Sequence, residues 1–309
     1  MNLKKPKFWD YKKPNIVAYI LTPIALLINI FQFLNFKFKN KNKLKIKTIC
    51  VGNFYLGGTG KTSLSIKINK ILKQRQIRTC FVKKKYEDQI DEQNILKNEG
   101  NLFINDKRID AISQAEKENF EVAICDDGLQ DKSIDYDLKF VCFNTINWVG
   151  NGLTLPAGPL REKLNNLNKY EHVFLNGNLE NIEEISHEIN KINPKINIHL
   201  GKYEPINLNE FKSEDKYLIF SGIGNHNTFV KMVKNYGLNV LADIEFPDHY
   251  KYSENDINKI IDNANKLNCE ILTTEKDFIR IDHPNKNKFK FLKSELKIID
   301  EEKLIKYLL

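Results

Sequence analysis

The sequence predicts an α/β fold with a mostly parallel sheet covered by helices on both faces. Two observations carry this. From residue 44 onward, continuous apolar, β-branched runs alternate with segments of helical period, and strands buried on both faces read as such unbroken runs. One of these strands leads through a glycine-rich loop straight into a helix, the context in which α/β sheets bind anions at a helix N-terminus. The chain has 309 residues, 41% hydrophobic, enough for one large domain or two of ordinary size. That excludes a disordered chain, and no collagen-like or heptad period is present.

The first 43 residues form a basic, apolar segment. Residues 16–36 carry no charge, and lysines flank them on both sides. As a helix this run would be about 30 Å long. Pro23, Asn29, Gln32 and Asn35 interrupt it. Lysines on both flanks leave no positive-inside asymmetry, and no small-residue cleavage site follows. Three arrangements fit: a helix lying in one leaflet with snorkelling lysines, a true span, and a helix packed on the body. Residues 1–48 hold eleven lysines against Asp10 alone, whereas the remainder holds 37 basic and 39 acidic residues. The body is therefore not basic, which argues against a nucleic-acid surface. The basic end fits an anionic membrane surface. Five cysteines without CxxC spacing read as buried free thiols of a reducing compartment, not as a disulfide framework or zinc site.

The core is expected over residues 44–205. Strands are predicted at 46–51, 77–82, 121–125, 138–143, 172–176 and 196–200. A helix at 62–73 places Leu64, Ile68, Ile71 and Leu72 on one face. A polar stretch around 204–215 marks a boundary, and a smaller α/β domain follows over 206–309. It holds strands at 217–220, 270–274 and 289–291 and helices at 228–236 and 254–267.

Residues 52–62 read GNFYLGGTGKT. Glycines let main-chain N–H groups approach phosphate oxygens, and the helix start adds partial positive charge. Tyr55, Leu56, Gly57, Gly58, Thr59 and Gly60 would form the cradle, Lys61 would reach the β- and γ-phosphates, and Thr62 would offer its hydroxyl to Mg²⁺. The strict P-loop pattern wants glycine where Tyr55 stands. Residues 123–130, AICDDGLQ, end an apolar strand in Asp126 and Asp127, and either can hold Mg²⁺ in this setting. Alone, this would be an ordinary Asp-Asp-Gly turn. In LPAGPLRE, residues 155–162, Pro and Gly present Arg161 on a rigid loop, where it can neutralise a transferring phosphoryl group. FPDHYKY at 246–252 sets His249 beside an Asp and two Tyr, an acid–base cluster or a structural histidine. Ser221–Asn225 and TTEKD at 273–277 follow strands and mark candidate ligand edges.

These motifs, in this order behind a basic apolar segment, resemble the tetraacyldisaccharide 4′-kinase (lipid A 4′-kinase) family. The resemblance runs from Tyr19 to Lys276, and the family's phosphate loop also lacks the first strict glycine. It implies a three-layer P-loop NTPase-like core with a second domain closing over the site. It implies transfer of the γ-phosphoryl group of ATP, with Mg²⁺, to the 4′-hydroxyl of tetraacyldisaccharide 1-phosphate. The place would be the cytoplasmic face of the inner membrane of a Gram-negative bacterium, with peripheral or monotopic attachment. It also implies that Asp91 of the pair Asp91-Glu92 works with His249 on the sugar hydroxyl, with Lys61 and Arg161 as further catalytic groups. Two stretches depart from the family pattern. Residues 83–87 read KKKYE, where the family commonly has a Ser-Arg-Gly-Tyr-Gly-like run, and Leu129 and Asp131 replace its usual Phe and His. No obligatory protein partner is evident. The rival class is a membrane-associated P-loop NTPase acting on protein partners, which would need neither FPDHYKY nor LPAGPLRE.

Overall fold

The structure, a computed structural model, describes residues 5–37, 44–85, 90–248 and 250–309. In chain order the first elements are α1 (Ile16–Lys37), β1 (Lys47–Asn53), α2 (Lys61–Lys73), β2 (Thr79–Lys84), α3 (Ile90–Glu99), β3 (Leu102–Asn105) and α4 (Arg108–Lys117). Then come β4 (Val122–Asp126), β5 (Leu138–Asn144), β6 (His172–Asn176), α5 (Ile182–Ile192) and β7 (Asn197–Pro205). The later part holds β8 (Lys216–Ser221), α6 (His226–Asn235), β9 (Asn239–Glu245), α7 (Glu254–Leu267), β10 (Glu270–Thr274) and α8 (Glu275–Arg280). It ends with β11 (Phe289–Leu292), β12 (Ser294–Ile298) and α9 (Glu301–Leu308).

The chain divides into two compact units: residues 6–201 with 298–309, and residues 202–297. The larger is organised by a sheet whose strands run in the order β7-β6-β5-β1-β4-β2-β3. From β7 to β3 every pair is parallel. Parallel strands need covered faces, and β1, β4 and β6 are buried along nearly their whole length. The chain steps from β1 outward to β2 and β3, returns through β4, and then crosses to β5 on the other side of β1. That reversal makes the C-terminal ends of β1 and β4 the topological switch point, where α/β sheets leave a crevice. Cys50, Cys80, Cys125 and Cys142 are free and buried along these strands. Burial pushes the Cys80 and Cys125 thiols up to about 12, so they pack as small apolar groups.

The smaller unit has a four-stranded sheet, β11-β10-β8-β9, with all pairs parallel. Its helices start on clear signals. Ser253 and Asp256 form a capping box at α7, and Asn225 accepts from the Thr228 N–H at α6.

Helix α1 is inverted relative to an ordinary surface helix. Among its described side chains the buried ones are small, Ala18 and Ala25, while Ile20, Leu27 and Phe31 are 69%, 67% and 65% exposed. Asn29 on the same stripe donates to Thr154 Oγ1 at 2.8 Å. The helix runs through Pro23, which sits on the outward side. Among the described residues no helix is long and apolar enough to cross a membrane.

A buried histidine pair ties α9 to the β6–β7 edge. His172 Nδ1 and His199 Nε2 lie 3.2 Å apart, and Tyr307 packs edge-on against both rings. Burial pushes both imidazoles down to about 4, and Lys303 adds to the effect. Both are therefore neutral when folded and take up protons more readily when unfolded, near pH ~6.5. Their contribution to stability is complete above about pH 6.5 and declines as pH falls toward about 4. Urea midpoints measured across this window should drop, and the slope should be shallower in a His172→Gln/His199→Gln variant. Equal slopes in the two proteins would remove the pair from the account.

Candidate active site

The phosphate-loop candidate is shaped by its own strand. After β1 the chain turns through residues 54–60, with Gly57 at φ 105° and Gly60 at φ 78°, the left-handed region in which a side chain is strained. Asn53, the last residue of β1, donates its amide to the Tyr55 carbonyl at 2.6 Å and to Thr59 Oγ1 at 2.8 Å. Asn176 at the end of β6 donates to the Thr59 carbonyl at 2.7 Å. Side chains thus hold the loop from beneath at the start of the 13-residue α2, and a helix N-terminus of this length favours an anion.

A second loop is zipped to the first. Leu56 N–H donates to Pro159 O at 2.9 Å, and Arg161 N–H donates to Phe54 O at 2.5 Å. This pairing brings LPAGPLRE to the end of β1 and aims Arg161 at Asp127. The segment before α1 joins the same cluster. Trp9 Nε1 donates to Pro156 O at 3.1 Å, Asn151 N–H donates to Trp9 O at 2.9 Å, and the Tyr55 hydroxyl donates to Asp10. Tyr55 therefore spends its side chain on anchoring the loop, at the position the strict pattern gives to glycine.

The two adjacent carboxylates are separately partnered. Asp126 is fully buried. Its Oδ2 is 2.9 Å from Lys83 Nζ and 3.3 Å from Thr62 Oγ1, and its Oδ1 accepts from Ser65 Oγ at 3.2 Å. Asp127, at φ 55°, faces the other way, with Arg161 at 2.8 Å and Lys61 at 3.7 Å from its Oδ1. Burial alone would raise the Asp127 carboxyl, but Lys61 and Arg161 hold it below the usual carboxylate range. Lys83 Nζ also pairs with Glu92 on α3. Burial would neutralise that ammonium, but Asp126 and Glu92 raise its pKa above the usual lysine value. Behind the turn, buried Arg108 donates to the carbonyls of Asp126 (3.4 Å) and Asp127 (3.0 Å) and pairs with Asp131 at 3.2 Å.

Lys61, Thr62, Asp126, Asp127 and Arg161 thus converge at the ends of β1 and β4. The donor set is hard oxygen, and no cluster of three or more His, Cys, Asp or Glu that could cage a metal exists among the described residues. Such a set suits Mg²⁺, which needs only one or two carboxylates when phosphate oxygens supply the rest. Asp91 is the second residue of α3; its side chain and the whole of His249 lie outside the described residues. In the smaller unit, buried Asp277 gathers three further motifs. It accepts from Gly222 N–H at 3.1 Å, the Tyr252 hydroxyl at 2.9 Å and Thr274 Oγ1 at 2.6 Å.

A family model described as tetraacyldisaccharide-1-P 4′-kinase matches residues 17–309. The chain belongs to this family. A tetraacyldisaccharide 4′-kinase of Pelagibacter ubique (strain HTCC1062) is 56% identical over 304 residues, covering 98% of this chain and 96% of that one. One from Rickettsia canadensis (strain McKiel) is 33% identical over 306 residues, covering 93% and 91%. The crystal structure of LpxK from Aquifex aeolicus in complex with ATP has the same fold. Its TM-score is 0.66 at 24% identity, over 95% of this chain and 98% of that one.

Three residues of this kinase-family site escape a motif reading, Ser65, Lys83 and Arg108, and Glu92 enters it only as the neighbour of Asp91. Ser65 carried a signal, since it lies three residues beyond Thr62 and so shares its helix face. Lys83 and Arg108 are brought in by tertiary packing. Arg108→Met would take the donor from two carbonyls of the turn while Asp131 keeps its bonds from Ser133, and should cost about 2 kcal/mol. Urea titration of the two proteins checks this; an unchanged midpoint would mean the turn holds itself.

Proposed function

We propose that this chain transfers the γ-phosphoryl group of ATP to the 4′-hydroxyl of tetraacyldisaccharide 1-phosphate in lipid A biosynthesis. The observation that carries this is the convergence of Lys61, Thr62 and Arg161 on Asp126 and Asp127 in a chain of this family. A groove of about 1120 Å³ beside that cluster supports a lipid acceptor. Leu26, Ile30 and Phe31 of α1 line it together with Arg161, Lys132 and Lys163. An acylated, anionic sugar needs both an apolar and a cationic lining. The outward apolar face of α1 and its flanking lysines support peripheral docking on the cytoplasmic face of the inner membrane.

Main-chain N–H groups of residues 57–60 and the start of α2 cradle the β- and γ-phosphates, with Lys61 bonding them directly. Thr62 with Asp126 or Asp127 would hold Mg²⁺. That ion, when bound, neutralises charge on the phosphates. Asp127 keeps Lys61 and Arg161 aligned, and Arg161 stabilises the group in transfer. Asp91, assisted by His249, positions the sugar hydroxyl and accepts its proton. A carboxylate is a weak base toward an alcohol, so proton transfer is late and positioning dominates.

Lys61→Ala and Asp91→Ala should each lose turnover by ~10²-fold or more while remaining folded. The assay is label transfer from γ-labelled ATP to the disaccharide lipid, read by thin-layer chromatography; near-normal transfer by Lys61→Ala would reject the phosphate site. An Ile20→Glu/Leu27→Glu variant keeps Trp9 and Asp10 in place and should no longer co-sediment with anionic vesicles. Undiminished pelleting would dismiss α1 as the docking face.

A further inference from the structure

Lys83 lies at the C-terminal end of β2, beside Asp126 at the end of β4. The two strands pair in parallel, with Val82 opposite Cys125. Of the three consecutive lysines at 83–85, Lys83 alone is fully buried. Its ammonium bonds Asp126 Oδ2 at 2.9 Å and also bonds Glu92. Glu92 stands in the first turn of α3, next to Asp91. One cation therefore links the buried carboxylate of β4 to the helix that begins with the proposed base. Burying the Lys83–Asp126 pair is costly, and replacing such a pair with apolar side chains is commonly neutral or stabilising. Its presence at the site calls for a role beyond stability.

We propose that Lys83 is a positioning residue whose ammonium serves as a built-in counter-cation, holding Asp126 and Glu92 together before metal and nucleotide bind and setting the register of α3 that carries Asp91. This rests on the phosphoryl-transfer reading for the roles of Asp126 and Asp91. Two carboxylates sharing a buried pocket repel strongly. With Lys83 between them the trio carries a net charge of about −1, too little to hold a divalent ion tightly unless phosphate oxygens arrive with it. Without Lys83 the pair becomes a dicarboxylate that draws a divalent ion by itself.

Mn²⁺ binding to the nucleotide-free, full-length protein, followed by electron paramagnetic resonance, tests this without reference to turnover. Lys83→Met should bind Mn²⁺ about tenfold or more tightly than the wild-type chain, equivalent to about one pK unit of interaction. A Lys83→Met/Asp126→Asn variant should lose that gain. In the kinase assay Lys83→Met should lower kcat at least tenfold while shifting KM for ATP less than threefold, and Lys83→Arg should restore part of kcat. Wild-type Mn²⁺ affinity in folded Lys83→Met would overturn the counter-cation role, and wild-type kcat would overturn the positioning role. Should Lys83→Met fail to fold, Glu92→Leu keeps the Lys83–Asp126 pair and removes the carboxylate that ties Lys83 to α3. It should lower kcat at least tenfold, and a wild-type value would overturn the positioning role. Active Lys61→Ala would sink the phosphate-site reading but leave the Mn²⁺ result standing.

Discussion

Two neighbouring carboxylates at the end of a buried strand cannot remain charged without compensation, and most of the site can be read as the means of compensating them. Asp126 points into the protein and is met by Lys83, Thr62 and Ser65. Asp127 turns outward through a left-handed backbone and is met by Arg161 and Lys61. Arg108 closes the turn from behind through its carbonyls. The residues that satisfy this constraint come from α2, β2, α4 and the 153–161 loop, so one electrostatic demand draws four separate segments to the switch point of the sheet.

The loops meet by backbone pairing, not by side-chain charge alone. The Tyr55–Leu160 bridge and the bonds from Leu56 and Arg161 make the phosphate loop and the Arg161 loop one unit. Trp9 and Asp10 bind both loops just ahead of α1. The helix with the outward apolar face is therefore rooted in the site itself. In the proposed reading this connection matters, because a membrane-docking helix and the groove beside Arg161 would share one frame.

The parallel sheet, the β1–loop–α2 unit and the Asp126–Asp127 edge were legible in the sequence because each is a local pattern. Apolar runs mark buried strands, and glycines mark positive φ. The segment 90–117 was not legible as α3, β3 and α4. Its helices are short and weakly amphipathic, and α4 packs through Ala111, Ile112 and Ala115 with a buried Arg108, a composition that reads as solvent-facing. Strand β9 alternates between partly buried and exposed along its length and so lacks the unbroken apolar run of its neighbours.

What the sequence determined by itself was the identity and order of the candidate phosphate-binding and metal-binding groups, since glycine placement, a strand end and a helix start are set within a dozen residues. Only the tertiary structure decided which cations serve which carboxylate, that Lys83 goes inside while Lys84 and Lys85 do not, and that α1 turns its small residues inward. Those outcomes depend on strand order and on desolvation, which act between residues tens of positions apart and leave no mark in local spacing.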